Sequence, residues 1–345
     1  MAEVERTGAD AGIEVAPTPG KGSWDLAGMA QLSQSFVAGK VLAAMADEDP
    51  DIVVITADMK FSNMTVDFER AHPDRFINVG ISEQHMVSMA AGMASVGLKP
   101  YIGAFAPFVG LLGGEQIRTD LAYPGLPVRI LAHHAGIAIG FYGTSHHATE
   151  DLGLMRSIAN MTVVCPCDAT ATEAALRQTA ELPGPVYFRL GRGRDVDVYD
   201  ALPAGAWRFG EAAVLREGDD LTIVGNGITV SAALEAVEVL AGDGVEASVI
   251  DAHTVRPFDG PGATIAEHAG RSGRLLVAEE HNVVGGVASA CAEALVEHGL
   301  AGVKLARIGM PADEYSLIGP PTHLYRHYGM DADGIETKAR ELLAS

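Results

Sequence analysis

The sequence predicts an α/β protein of two domains, each a mainly parallel sheet with helical crossovers, and three observations predict it. The chain has 345 residues, 48% of them hydrophobic, which is more than one domain usually holds. Short β-branched runs alternate with helix-like stretches, the pattern of strands joined by helices. That alternation occurs twice, on either side of a Gly-, Arg-, Asp- and Pro-rich stretch at 191–209 with little hydrophobic periodicity.

Residues 1–27 mix Glu, Asp, Pro, Gly and Lys without periodicity and read as a flexible arm. The first domain is expected over 28–198, with β-branched runs at 52–56, 128–132, 161–164 and 186–188. A linker is expected over 199–212, and a second α/β domain over 213–345 with runs at 221–224, 247–250, 274–278 and 303–308. There is no short-period repeat and no low-complexity tract.

The formal net charge of -21 argues against a phosphate-backbone or anionic-membrane surface, because such partners are held by clustered Lys and Arg. No apolar run approaches the roughly 20 residues of a membrane span, and the first residues are acidic rather than basic-then-apolar. A cytoplasmic protein is expected. Cys165, Cys167 and Cys291 are odd in number and lack metal-site spacing, so neither a disulfide framework nor a metal site is expected.

The stretch 75–97 carries the first chemistry: a short apolar run meets Gly80-Ile81-Ser82-Glu83-Gln84-His85, then a small-residue helix. Ser82 can cap that helix, and Glu83 falls in its first turn, where the dipole favours negative charge. Alone, this also reads as a plain helix start. Further on, Phe105 and Phe108 stand three apart in a Gly- and Pro-bearing segment and offer rings to a flat heterocycle or simply to the core. His133-His134 follow another strand, and Ser145-His146-His147 follow a glycine-bearing loop. In parallel sheets the carboxyl ends of strands host ligands, so these loops are candidates for one site. The imidazoles lack a paired zinc-ligand spacing.

Taken in order, GISEQHM at 80–86, YIGAFAPF at 101–108, HHAGI at 133–137, GTSHHATEDLGLMR at 143–156 and VYFRLGR at 186–192 resemble the pyrimidine-binding domain of transketolases and of deoxyxylulose-phosphate synthase. VIDAHTVRPFD at 249–259, AEEHNVVGGVASA at 278–290 and the stretch 307–335 are similar to the C-terminal domain of that family. The resemblance implies thiamine diphosphate as cofactor and transfer of a two-carbon ketol unit from a ketose to an aldehyde. The family's magnesium-diphosphate motif, Gly-Asp-Gly with a later Asn, has no credible copy; Gly242-Asp243-Gly244 reads as a turn. The expectation is a split enzyme, this chain being the smaller subunit. A separate diphosphate-binding partner would ligate Mg2+, and the pair would form an α2β2 heterotetramer.

The resemblance also implies roles. Glu83 matches the glutamate that bonds the pyrimidine ring nitrogen. Phe105 and Phe108 match the rings that pack the pyrimidine, and Asp58 an acidic residue near the thiazolium. His134 and His146 match substrate-contacting, catalytic histidines, while Arg189 and Ser62 match groups that bind the acceptor phosphate. The sequence departs where the family carries Glu-Asp-Gly: here stand Phe141-Tyr142-Gly143, so Tyr142 replaces a donor-binding carboxylate. The arginine expected near the first helix falls at Gln34 or Ser35, which offer no cationic grip. A specialised, less phosphorylated or more apolar acceptor follows. Two other readings stand beside this one: the β subunit of a 2-oxo-acid dehydrogenase decarboxylase, and a non-catalytic regulatory subunit.

Overall fold

The computed structural model describes residues 34–192, 196–203 and 205–345. The expected arm at 1–27 lies outside the described residues. Strands β1 (Ile52–Thr56), β2 (Phe76–Asn78), β3 (Lys99–Phe105), β4 (Arg129–His133), β5 (Thr162–Val164) and β6 (Val186–Arg189) form the first series, and β7 (Ala213–Arg216), β8 (Leu221–Gly225), β9 (Ala247–Asp251), β10 (Thr254–Arg256), β11 (Arg274–Asn282) and β12 (Lys304–Met310) the second. The helices are α1 (Gln34–Glu48), α2 (Val66–Ala71), α3 (Glu83–Ser95), the single turn α4 (Gly114–Gln116), α5 (Asp151–Ser157), α6 (Ala169–Gln178), α7 (Thr229–Gly242), α8 (Asp259–Ser272), α9 (Val287–Glu297), α10 (Pro321–His327) and α11 (Ala332–Leu343).

Two sheets result, ordered β10-β5-β6-β4-β3-β1-β2 and β12-β11-β8-β9-β7. Their pairings are parallel except at two edges, where β10 runs against β5 and β7 against β9. The two-domain α/β architecture agrees with the sequence expectation. All five residues of β1, β4, β8 and β9 are buried, which is why central strands covered on both faces read as continuous apolar runs rather than alternating ones.

The exchange at β10 was not expected. This strand belongs to the second half of the chain, yet it completes the first sheet: Thr254 pairs with Val164, and the Cys165 amide donates to the His253 carbonyl at 2.7 Å. The domains are therefore sewn together, and one apolar cluster contains Ile130, Val163, Val224, Ile250 and Val277 from both sheets. Three residues give too short a run for periodicity to register. The 191–209 stretch is also anchored at places, since Tyr199 and Trp207 are buried and Asp168 accepts the Val198 and Tyr199 amides at 2.7 Å each. Cys165, Cys167 and Cys291 are buried in the core and form no disulfide with one another.

Candidate active site

Neighbouring parallel strands deliver their carboxyl ends to one edge of the first sheet. β1 lies between β2 and β3, with β4 beyond β3; Thr56 pairs with both Asn78 and Gly103, and Phe105 pairs with His133. Neighbouring strands lie about 4.8 Å apart, so the loops after Thr56, Asn78, Phe105 and His133 open side by side.

Five of the sequence candidates touch one another there. Phe105 and Phe108 stack with centroids 5.8 Å apart and planes at 26°. His134 lies on Phe105 at 4.1 Å and 26°. His146 stands edge-on to Phe108 at 5.1 Å and to Phe105 at 6.3 Å, and Tyr142 tilts against His146 at 4.9 Å. Offset-stacked and edge-to-face arrangements are the ones the ring quadrupoles favour.

His134 has a left-handed backbone, φ 57°, a strain of order 1–3 kcal/mol that persists only where surroundings fix it. The Ala135 amide donates to the Leu190 carbonyl at 3.0 Å, and Gly136 and Ala148 exchange two backbone bonds at 3.0 and 2.8 Å. The loops bearing His134 and His146 thereby form one unit. His134 is 5% exposed and its Nδ1 is buried without a partner. Burial pushes its imidazole down to about 2, with His133, Arg192 and His146 adding to the effect. The ring is therefore neutral and suited to orienting an oxygen by hydrogen bonding, not to donating a proton as a cation. His146 is half-buried; its Nδ1 meets the Ser145 hydroxyl at 2.8 Å, leaving Nε2 for a ligand.

Glu83 opens α3 and is only 6% exposed. The expected Ser82 cap does not form: with Ser82 at φ -156° and ψ 66°, its side chain makes no capping bond. Asp58, exposed at φ 61°, is held by a residue that sequence reasoning missed. Asn78 Oδ1 accepts the Asp58 and Gly80 amides at 2.9 and 3.0 Å, and Asn78 Nδ2 donates to Asp58 Oδ1 at 3.1 Å. Asn78 so pins the Asp58 loop to the one leading into Glu83, and its signal was a lone amide at the end of an apolar run. Ser62 is exposed in a turn, its amide donating to the Met59 carbonyl at 2.9 Å, and it is not among the rings that meet at the site.

Arg189 requires a correction. It is 3% exposed; Nε donates to both Asp151 carboxylate oxygens at 3.1 and 3.0 Å, and Nη2 to the carbonyls of Ala148 and Glu280 at 3.0 and 2.8 Å. Burial opposes its charge, but the Asp151 carboxylate holds the guanidinium above its ordinary value. It is a buried tie and presents no open face to a phosphate. Arg192, three residues past the end of β6, is exposed and close enough to His134 to depress that imidazole. The strand-end rule, applied to the residue beyond the strand rather than in it, makes Arg192 a candidate.

Among the described residues no three His, Cys, Asp or Glu side chains gather as a metal site, and no helix is long and apolar enough to cross a membrane.

Fold and site define an α/β protein of two domains whose first sheet carries a cluster of stacked rings at one edge. Family profiles described as "Transketolase, pyrimidine binding domain" and "Transketolase, C-terminal domain" match residues 30–194 and 210–335, and the chain belongs to the transketolase family. It is 35% identical to one subunit of the apulose-4-phosphate transketolase of Phocaeicola vulgatus, over 88% of this chain and 95% of that one. It is also 35% identical to the 6-deoxy-6-sulfo-D-fructose transketolase subunit SqwH of Clostridium sp. (strain MSTE9), over 88% and 92%. Among solved structures, one described as a split gene transketolase, inactive beta4 tetramer, superposes with a TM-score of 0.80 at 38% identity, covering 91% of this chain and 99% of that one. The family depends on thiamine diphosphate. The residues present fit the pyrimidine end of that cofactor: Glu83, 6% exposed at the start of α3, and stacked rings on the same sheet edge.

Proposed function

We propose that this chain is the smaller subunit of a split, thiamine-diphosphate-dependent transketolase, acting with a separate diphosphate-binding subunit in an α2β2 assembly. The observation that carries the reading is Glu83, 6% exposed at the start of α3, on the same sheet edge as the stacked rings. Exposed apolar residues support a partner surface nearby: Ile81, two residues before Glu83, is 83% exposed, and Phe61 is 69% exposed.

Thiamine diphosphate, when bound, supplies the electron sink that cleavage and formation of a ketose carbon–carbon bond require. Glu83 would meet the pyrimidine ring nitrogen with its carboxyl. Phe105 and Phe108 pack the ring and exclude water, while Asp58, fixed by Asn78, supplies negative charge on the neighbouring loop. His134, neutral, orients a substrate oxygen, and His146 moves or accepts a proton through Nε2. Arg192 takes the acceptor-binding role first given to Arg189, and Ser62 keeps its own on the loop after β1. Tyr142, 62% exposed against His146, replaces a carboxylate with a phenol and favours a less anionic or more apolar acceptor. Mg2+ is held mainly by the partner, and the assembly works in the cytoplasm.

The test is reconstitution. Mixed with a partner carrying the Gly-Asp-Gly motif, the chain is expected to transfer a ketol unit in a cofactor-dependent assay, and neither chain alone is active. Acylation of a lipoyl carrier instead would reassign it to the oxo-acid dehydrogenase class, and an inactive mixture would leave only a regulatory role.

A further inference from the structure

The loops bearing His134 and His146 belong to the first domain, yet the second domain holds them. Glu280, on β11, is 3% exposed, and its Oε1 accepts the Ile137 amide at 2.8 Å and the Tyr325 hydroxyl at 3.0 Å. Gly136 sits directly on this carboxyl: at φ +66°, a Cβ there would lie 2.1 Å from Glu280 Cδ. The Glu280 carbonyl accepts from Arg189 Nη2, which also donates to the Ala148 carbonyl, and Ala148 exchanges backbone bonds with Gly136. The contacts close into a ring running from Glu280 through Ile137, Gly136, Ala148 and Arg189 back to Glu280. Asp151, which also accepts the Tyr187 hydroxyl at 3.0 Å, locks the arginine in place.

We propose that Glu280 is a positioning residue, by which the second domain fixes where His134 and His146 stand. His134 is held at positive φ, a backbone strain that persists only where surroundings fix it, and the ring supplies that support. Burial pushes the Glu280 carboxyl up to about 7; the Arg189 charge and the bonds from Ile137 and Tyr325 oppose this, and Asp151 adds to it. Those four residues, from β6, the loop after β4, α10 and α5, are the groups that face it. The clamp thus changes charge near neutrality, giving the assembled enzyme an inflection near pH 7 that Glu280→Gln removes.

The kinetic consequence rests on the ketol-transfer reading, so the experiment has two arms. In the full chain, amide hydrogen exchange of segment 133–148 reads the clamp directly: Glu280→Ala is expected to speed it about tenfold or more, while Glu280→Gln, whose amide oxygen still accepts, stays near wild type. In the assembled pair, Glu280→Ala is expected to lower kcat by about 10²-fold, the scale of a misplacement of about 1 Å, and Glu280→Gln to restore most of it without the inflection. The adjacent Glu279 serves as control, being fully buried and accepting the Val287 and Ala288 amides at 2.7 and 3.0 Å at the start of α9. Glu279→Gln lowers stability and leaves kcat unchanged. Unaltered exchange in Glu280→Ala overturns the clamp, and a kcat loss that merely tracks melting temperature in both Glu279 and Glu280 variants overturns positioning. A wild-type pair without ketol transfer sinks the functional reading instead, and the exchange arm then decides the clamp alone.

Discussion

Exchanging the roles of Arg189 and Arg192 gives opposite expectations for two neighbouring substitutions. The Arg189–Asp151 pair has side chains 3% and 1% exposed at 3.0 Å. Arg189→Gln strands the Asp151 charge, and removing one member of a buried pair costs about 3–5 kcal/mol. Lost bonds to the Ala148 and Glu280 carbonyls make this a floor. Against a total stability of about 5–15 kcal/mol, the change is large; at roughly 2–4 °C per kcal/mol the melting temperature falls on the order of 10 °C. Arg192 is exposed, so Arg192→Gln shifts stability by no more than about 0.5 kcal/mol. It removes a charged hydrogen bond of about 1.5–3 kcal/mol to an anionic acceptor, which raises that KM roughly 10- to 150-fold. Thermal unfolding followed by circular dichroism, with acceptor kinetics on the reconstituted pair, reads both. If Arg189→Gln melted with the wild type and alone impaired anionic acceptors, the reassignment would be wrong.

Burial pushes Asp251 up to about 7, its bond from Tyr199 at 2.8 Å and Cys167 opposing, Asp168 adding. Because the folded carboxyl titrates above the unfolded one, its stabilising contribution is complete below pH ~4 and lost as pH rises to about 7. The melting temperature of Asp251→Asn should therefore gain on wild type across that window; a difference flat with pH would contradict the buried titration. Gly136→Ala drives a Cβ onto Glu280 Cδ at positive φ, and about 2–4 kcal/mol of destabilisation with lowered kcat is expected; a variant that melts and turns over like wild type would refute the contact. Tyr142→Ala leaves stability intact and changes kcat/KM for apolar acceptors about 2- to 12-fold, the 0.5–1.5 kcal/mol of a ring contact. An equal change for every acceptor would remove Tyr142 from selection.

The parts of the fold that were legible are those with long, uniformly buried runs. Residues 52–56 coincide with β1, and the second series sits near β8, β9, β11 and β12, because strands covered on both faces must be apolar throughout. The short edge strands β7 and β10 run antiparallel, and nothing within three or four residues announces a strand that leaves its own domain to complete another sheet. At the site, the rings and histidines were legible as motifs, since their chemistry is local. Arg189 misled because its sequence neighbourhood matches that of Arg192, whereas its burial is decided by Asp151, 38 positions away, and by the Glu280 carbonyl from the other domain. Asn78 and Glu280 act through contacts that pair distant segments, which spacing along a chain does not encode. The Ser82 cap failed for a local reason, a backbone conformation set by the turn that presents Glu83.

The account turns on residue 83 supplying the acid group at the pyrimidine. Exchange of the thiazolium C2 proton for deuterium, followed by NMR in the reconstituted pair, measures this without any sugar substrate. Glu83→Gln is expected to assemble normally yet exchange about 10²- to 10⁴-fold more slowly, the range of one positioned proton-transfer group. Exchange as fast as wild type in a fully assembled variant would contradict the assignment.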